Sequence, residues 1–396
     1  MVRALPVTAP SQTSGTARLG WLDALRGIGA TAVVTEHMPA GLLPFDRPYS
    51  FSIGTYGVLV FFLVSGYIIP ASLEHRGDVR AFWIGRVFRL YPLYLAVIAL
   101  TLALSWWMPV RDAVPRDLSA VASHLTMLLD AVHMGGVVNT MWTLSYEMVF
   151  YLVVTALFVG GVHRRSGLFA ICFGVGAVVC GLLVIGPMIP QTWPVYASCA
   201  LFLAGMACLL TGWGSTFAAY ALGLMGLVLL VATSFIPWFS AAILAVMFTG
   251  TAIYRWERGT GPLWPVPVTA VLVVVSPFFS GQAGWWWVQP GPWIATIALA
   301  AVTFAGAMAL RRRRVPRFLT WLGLVSYSLY LVHYPILRAA GMLADDLGEP
   351  GLVVQLAAIA VCVGLVLTAS WLSYRYVEKP MQSLGRRLAR RSAVRA

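Results

Sequence analysis

Long apolar runs alternate along this chain with short segments of arginine, glycine and proline. A helix needs about 20 residues to cross a hydrocarbon layer of roughly 30 Å. Against that length, the pattern predicts spans at 21–41, 53–72, 89–108, 142–163, 168–187, 193–211, 216–233, 236–254, 264–281, 292–310, 318–340 and 352–375. The middle segments are so closely spaced that the prediction is an all-α, polytopic transmembrane helix bundle of about 10 to 12 spans. Residues 1–19, rich in Pro, Ser, Thr and Ala, read as a disordered cytoplasmic tail, 20–380 as the membrane domain and 381–396 as a basic cytoplasmic tail. The first apolar run begins near Ile28 and is interrupted by Glu36 and His37, so no cleavable signal peptide is expected. No internal repeat is evident, which weakens an inverted-repeat transporter reading.

Composition fixes the solvent. Of the 396 residues, 60% are hydrophobic and 10% charged, and mean hydropathy is +0.82. That excludes a soluble globular chain, a disordered chain, a collagen, a coiled coil and a disulfide-stapled secreted fold. A formal charge of +13 would otherwise suggest nucleic acid, but the charge sits in short clusters between apolar runs, the pattern of cytoplasmic loops. With the amino terminus inside, 22 Lys and Arg fall in inner segments against Arg47, Arg111 and Arg116 in outer ones. Both termini are therefore expected in the cytoplasm, with the chain in the inner membrane. The acidic loop 344–349 then lies outside, and Trp285, Trp286 and Trp287 read as an outer aromatic belt. The five cysteines lie inside apolar runs and imply neither a disulfide framework nor a metal site.

Ionisable groups within a span are costly and mark pathways or active sites. The first span carries Arg26, Glu36 and His37. Arg26 and His37 are eleven residues apart, about 1,100° of helical turn, so they share a face to within roughly 20° and stand about 16.5 Å apart along the axis. Arg26 is either a snorkelling cation or a ligand-binding one, and His37 either a satisfied buried histidine or a reactive one. Arg86 and Arg89, at i and i+3 among aromatic residues, either anchor on anionic membrane lipid or clamp phosphates. Glu147 and His37 lie roughly 7.5 Å and 6 Å inside the expected outer boundary, so they can meet at one depth; His333 lies about 10 Å inside it. Glu36, Ser145 and His333 are secondary candidates, His333 having a structural alternative as a ring bonded across helices.

Absent motifs discriminate as well. With Lys379 as the one lysine there is no Gly-Lys-Ser/Thr phosphate loop, and neither His-Glu-x-x-His nor Gly-x-Ser-x-Gly occurs. No histidine has an aspartate five positions on, which removes the usual glycerolipid acyltransferase motif.

Six separated segments resemble the acyltransferase-3 family of bacterial membrane O-acyltransferases. They are Leu25-Arg26-Gly27 with His37, Phe61 to Tyr67, Arg86 to Pro92, Trp142 to Tyr151, Ser326 to Pro335, and Ser373 to Pro380. They follow the family's order over nearly the whole chain. The resemblance implies an acyl-CoA donor from the cytoplasm, usually acetyl-CoA, and an acceptor hydroxyl on a glycan, glycoside or related compound. By position it makes His37 the catalytic histidine, Glu147 the active-site acid, and Arg26, Arg86 and Arg89 the contacts to CoA. Met148 stands where a second acid often follows, and no hydrolase-like domain is expected after the membrane domain. The expected mechanism has His37 as general base with Glu147 orienting it, an acyl-histidine intermediate being the alternative. A proton-coupled secondary transporter is the competing function, because the same intramembrane residues would suit a proton relay.

Overall fold

The computed structural model describes residues 19–44, 47–107, 117–184, 186–189, 192–281, 284–345 and 351–393. Most of the predicted amino-terminal tail, Arg111, Arg116 and most of the acidic loop lie outside the described residues.

The chain is an all-α bundle with no strand among the described residues. Its helices are α1 (Gly20–Glu36), α2 (Ile53–Arg76), α3 (Val79–Leu104), the short α4 (Leu118–Thr126), α5 (Trp142–Val159), α6 (Ser166–Leu183), α7 (Trp193–Thr211), α8 (Ser215–Ala232), α9 (Pro237–Glu257), α10 (Pro265–Val275), α11 (Pro290–Ala309), α12 (Arg317–Asp345), α13 (Leu352–Ser373) and α14 (Lys379–Ala393). Nine segments among the described residues are long and apolar enough to cross a membrane: α2, α3, α5 to α9, α11, and α13 run together with α14. The predicted spans missing from that set are α1, α10 and α12. Helix α10 has only 11 residues before a 3-10 turn, α1 has 17 residues including Asp23, Arg26 and Glu36, and α12 is long but rich in Ser, Tyr and His.

Local chemistry sets the boundaries. Ser52 accepts the Thr55 N–H to cap α2, which ends at Gly77 in the left-handed region (φ 66°), where glycine alone is unstrained. Asp78 then caps α3 by accepting the Ala81 N–H at 3.1 Å. Helix α1 stops at Glu36, short of the predicted 41, because Met38 precedes Pro39 and a residue before proline is disfavoured in helical geometry. A π turn, Tyr374–Glu378, joins α13 to α14. The basic segment beyond 380 is thus a helix packed along α3, with Gly385 against Phe88.

Helix α1 packs between α2 and α12, and α2 packs in turn on the largely buried α9. Lipid offers no hydrophobic drive between helices, so close backbone approach through small residues carries much of this contact. The α1–α12 crossing is tight: a Cβ on Gly323 would overlap the Asp23 carbonyl oxygen. Gly323→Ala is therefore expected to exceed the ~1–3 kcal/mol usual for overpacking, since the obstruction is backbone and cannot swing aside. Gly341→Ala, whose new methyl would meet only Pro39 at 3.5 Å, is the tolerated comparison. The yield of monodisperse protein in detergent checks both.

Candidate active site

The α1–α12 contact brings two histidines together. His37 closes α1, and its Nδ1 lies 2.9 Å from the Val33 carbonyl; His333, fully buried in α12, places Nδ1 3.0 Å from the Leu329 carbonyl. A carbonyl only accepts, so each ring carries its proton on Nδ1. His333 Nε2 then points its lone pair at His37 Nδ1, 3.4 Å away, with ring centroids 5.2 Å apart. His37 keeps Nε2 as its basic atom. A proton taken there leaves an imidazolium that donates from Nδ1 to both the Val33 carbonyl and His333.

His37 lines a cavity of about 520 Å³. Its floor is formed by Val33, Glu36 and His37 of α1, and its walls by α2, the start of α5 and the segment 130–142; Trp285, Trp286 and Trp287 sit across it. Trp287 stacks between Trp285 (5.1 Å) and Trp142 (6.1 Å). Glu36 accepts the Gly54 N–H at 3.1 Å, and the buried Asp130 accepts from the Tyr146 hydroxyl.

A narrower cavity, about 70 Å³, continues along the same side of α1. Arg26, Arg89, Glu147, Ser65, Thr143, Ser326 and Tyr327 line it. Val58 and Tyr330 belong to the walls of both cavities, so the two abut there. Tyr330 is fixed between the Thr143 hydroxyl (2.6 Å) and the Thr140 carbonyl (2.8 Å). The charges acting on Arg26 are Arg89, Glu378, Asp23 and Glu147. Arg86 lies one turn behind, its guanidinium 3.4 Å from Tyr151 Oη and Ser72 Oγ and about 5 Å from the Phe82 and Tyr151 ring centroids. Tyr151 in turn donates to Glu147. The two cavities therefore differ in character: a wide one with an imidazole and carboxylates, and a narrow one with paired guanidinium groups.

Arg26 and His37 lie on one line of α1, each opening into a cavity. Glu147 does not meet His37: it lines the narrow cavity with Arg26 and Arg89, and His333 occupies the position beside the imidazole. The depth estimate fails because it places a membrane boundary at Trp142. Residues 127–132 and 137–141 are mostly buried, so α5 begins inside the protein. Ser145, also fully buried, accepts the Asp130 N–H at 2.9 Å and so holds the wall of the wide cavity. Arg86, at 9% exposure, is no lipid anchor. The tryptophans at 285–287 line the wide cavity as well as its exposed rim.

Glu378 belongs to a segment that the sequence singles out, yet nothing in the sequence marks it as a site residue. The π turn carries it inward to 3% exposure, where it accepts from Ser328 (2.7 Å) and Gln382 (2.9 Å) and acts on both Arg26 and Arg89. Such turns recur at functional sites, but none can be read from apolar periodicity. Glu147→Gln removes the carboxylate that accepts from Tyr151 and is expected to loosen the Tyr151–Arg86 chain.

Residues 19–375 match a family described as an acyltransferase domain. The acyltransferase MdmB of Streptomyces mycarofaciens is 24% identical, with 93% of each chain aligned. The O-acetyltransferase OatA of Staphylococcus aureus is 23% identical over 92% of this chain but 57% of its own length, so this chain spans little more than half of that relative. No solved structure matches.

Proposed function

We propose, from the premise that this chain belongs to the acyltransferase-3 family, that it moves an acyl group, in the first instance acetyl, from cytoplasmic acyl-CoA to the hydroxyl of a glycan, glycoside or related acceptor. The observation that carries this reading is the pair of abutting cavities on one face of α1, guanidinium groups in one and a histidine in the other. Arg26 and Arg89 suit phosphate oxygens by forked hydrogen bonding, with Arg86 behind them. A slender pantetheine arm reaching past Val58 and Tyr330 brings its thioester to His37. At about 70 Å³ the narrow cavity is too small for that arm at rest, so donor binding widens it.

The acceptor hydroxyl then gives its proton to His37 Nε2 as its oxygen attacks the thioester carbonyl carbon. The carbon–sulfur bond breaks, and the thiolate of CoA takes the proton back from the imidazolium. His333 is a positioning residue that accepts from His37 Nδ1 while the charge exists. In this orientation both termini face the cytoplasm and the chain sits in the inner membrane, as the arginine distribution supports.

The test is saturable binding of acetyl-CoA and transfer of its label to acceptor in proteoliposomes. Arg89→Gln with Glu378→Gln, which removes the two opposite charges together, is expected to weaken the binding about 10–100-fold. Movement of acceptor across vesicles without any donor, with no acyl increment by mass, would instead support a carrier.

A further inference from the structure

The wide cavity has a lining that selects by charge. Apart from Tyr146 and Tyr330 its titratable residues are Glu36, His37 and Asp130, and no lysine or arginine is among the wall residues described. Arg47, whose charge acts on His37, donates to the Met38 carbonyl and is not part of the wall. Asp130 is 6% exposed, and no cation acts on it among the described residues; its side chain has only the Tyr146 hydroxyl for electrostatic company. Burial pushes the Asp130 carboxyl up to about 7, so it sits close to the point of losing its proton, and a ligand that brings a cation favours its carboxylate form. The same cavity is lined by Phe239 and by Trp142, Trp285, Trp286 and Trp287, with Trp142 and Trp285 each stacked on Trp287, and such ring faces attract cations and cover the apolar faces of sugars. Aromatic faces with one buried and one half-buried acid around one space form a combination suited to an organic cation.

We propose that the acceptor carries a protonated amine, as in an aminosugar glycoside, seated against Glu36, Asp130 and the tryptophan wall with a hydroxyl presented to His37. The assignment rests on the acyl-transfer reading for the identity of the cavity, and it adds the acceptor's charge class. The same lining disfavours anionic acceptors such as uronic acids, and neutral sugars gain no charge contact from it.

Binding is measured on the full chain purified in detergent, by quenching of tryptophan fluorescence, with three probes: methyl glucosaminide (cationic), its N-acetyl counterpart (neutral) and methyl glucuronide (anionic). The cation is expected to bind about 10-fold more tightly than the neutral probe, with the anion weakest. Glu36→Gln with Asp130→Asn keeps an acceptor oxygen for Gly54 N–H and for the Tyr146 hydroxyl, and is expected to bring the cation and the neutral probe to similar affinity. Equal binding of all three, tighter binding of the anion, no saturable binding of any, or a preference that survives the double substitution each overturns the proposal. Acetyl-CoA binding in the same preparation reports on the other reading separately. If it is absent while sugar selectivity persists, acyl transfer fails and the charge class stands; if it is present without sugar selectivity, the reverse holds.

Discussion

Replacing His37 with alanine is expected to reduce acyl transfer to background while the protein still assembles. A positioned general base supplies about 10²–10⁴-fold, and no other imidazole opens on the wide cavity among its described wall residues. Folding should survive, because the side chain is only partly buried and its loss removes only its contacts with the Val33 carbonyl, His333 and the Tyr334 ring. The measurement is transfer of labelled acetyl groups in membranes matched for protein content. His333 substitutions should cost less and act on kcat with both KM values unchanged, since His333 touches the base and not the substrates. His333→Gln, which keeps an acceptor near Nδ1, should retain more activity than His333→Phe; equal loss in the two would mean that His333 serves packing alone. If His37→Ala retains full activity, the proton path argued above is wrong. If label accumulates on His37 in the absence of acceptor, the reaction passes through an acyl-histidine.

The parts of this site that can be read from the sequence are those governed by one helix. Arg26 and His37 can be placed on a common face because both belong to α1, where the 3.6-residue repeat fixes direction without knowledge of any neighbour. Relations between helices are less accessible. Pairing Glu147 with His37 means counting inward from Trp142, but that count needs a membrane surface at Trp142, and the folded-in segment before α5 removes it. His333 can be recognised as intramembrane, yet its contact with His37 depends on the Gly323 crossing, which no periodicity reveals. The tryptophans at 285–287 show the converse error. Their composition fits an interfacial belt, and only the fold of the α10–α11 connection shows that they also roof a cavity.

The second large effect is expected at Arg89, and there two consequences must be separated. Arg89→Ala removes a guanidinium from a group that includes Arg26, Glu147 and Glu378, and so leaves the buried Glu378 short of a cation. Glu378 and Arg89 act on each other electrostatically without direct contact, and a buried carboxylate that loses a nearby cation is costly, so the single variant is expected to lower the folded yield as well as any donor binding. Arg89→Gln combined with Glu378→Gln removes both charges together. The amide placed in the π turn can still accept from Ser328, and Gln382 can turn its own amide to meet it, so the folded yield is expected to recover. Donor binding is not expected to recover: loss of a charged hydrogen-bond donor to phosphate, worth roughly 1.5–3 kcal/mol, raises KM for acyl-CoA about 10–100-fold. Recovery of yield with wild-type KM would assign Arg89 to the fold and move the phosphate site elsewhere, whereas recovery of yield with raised KM separates a structural charge balance from the recognition it serves.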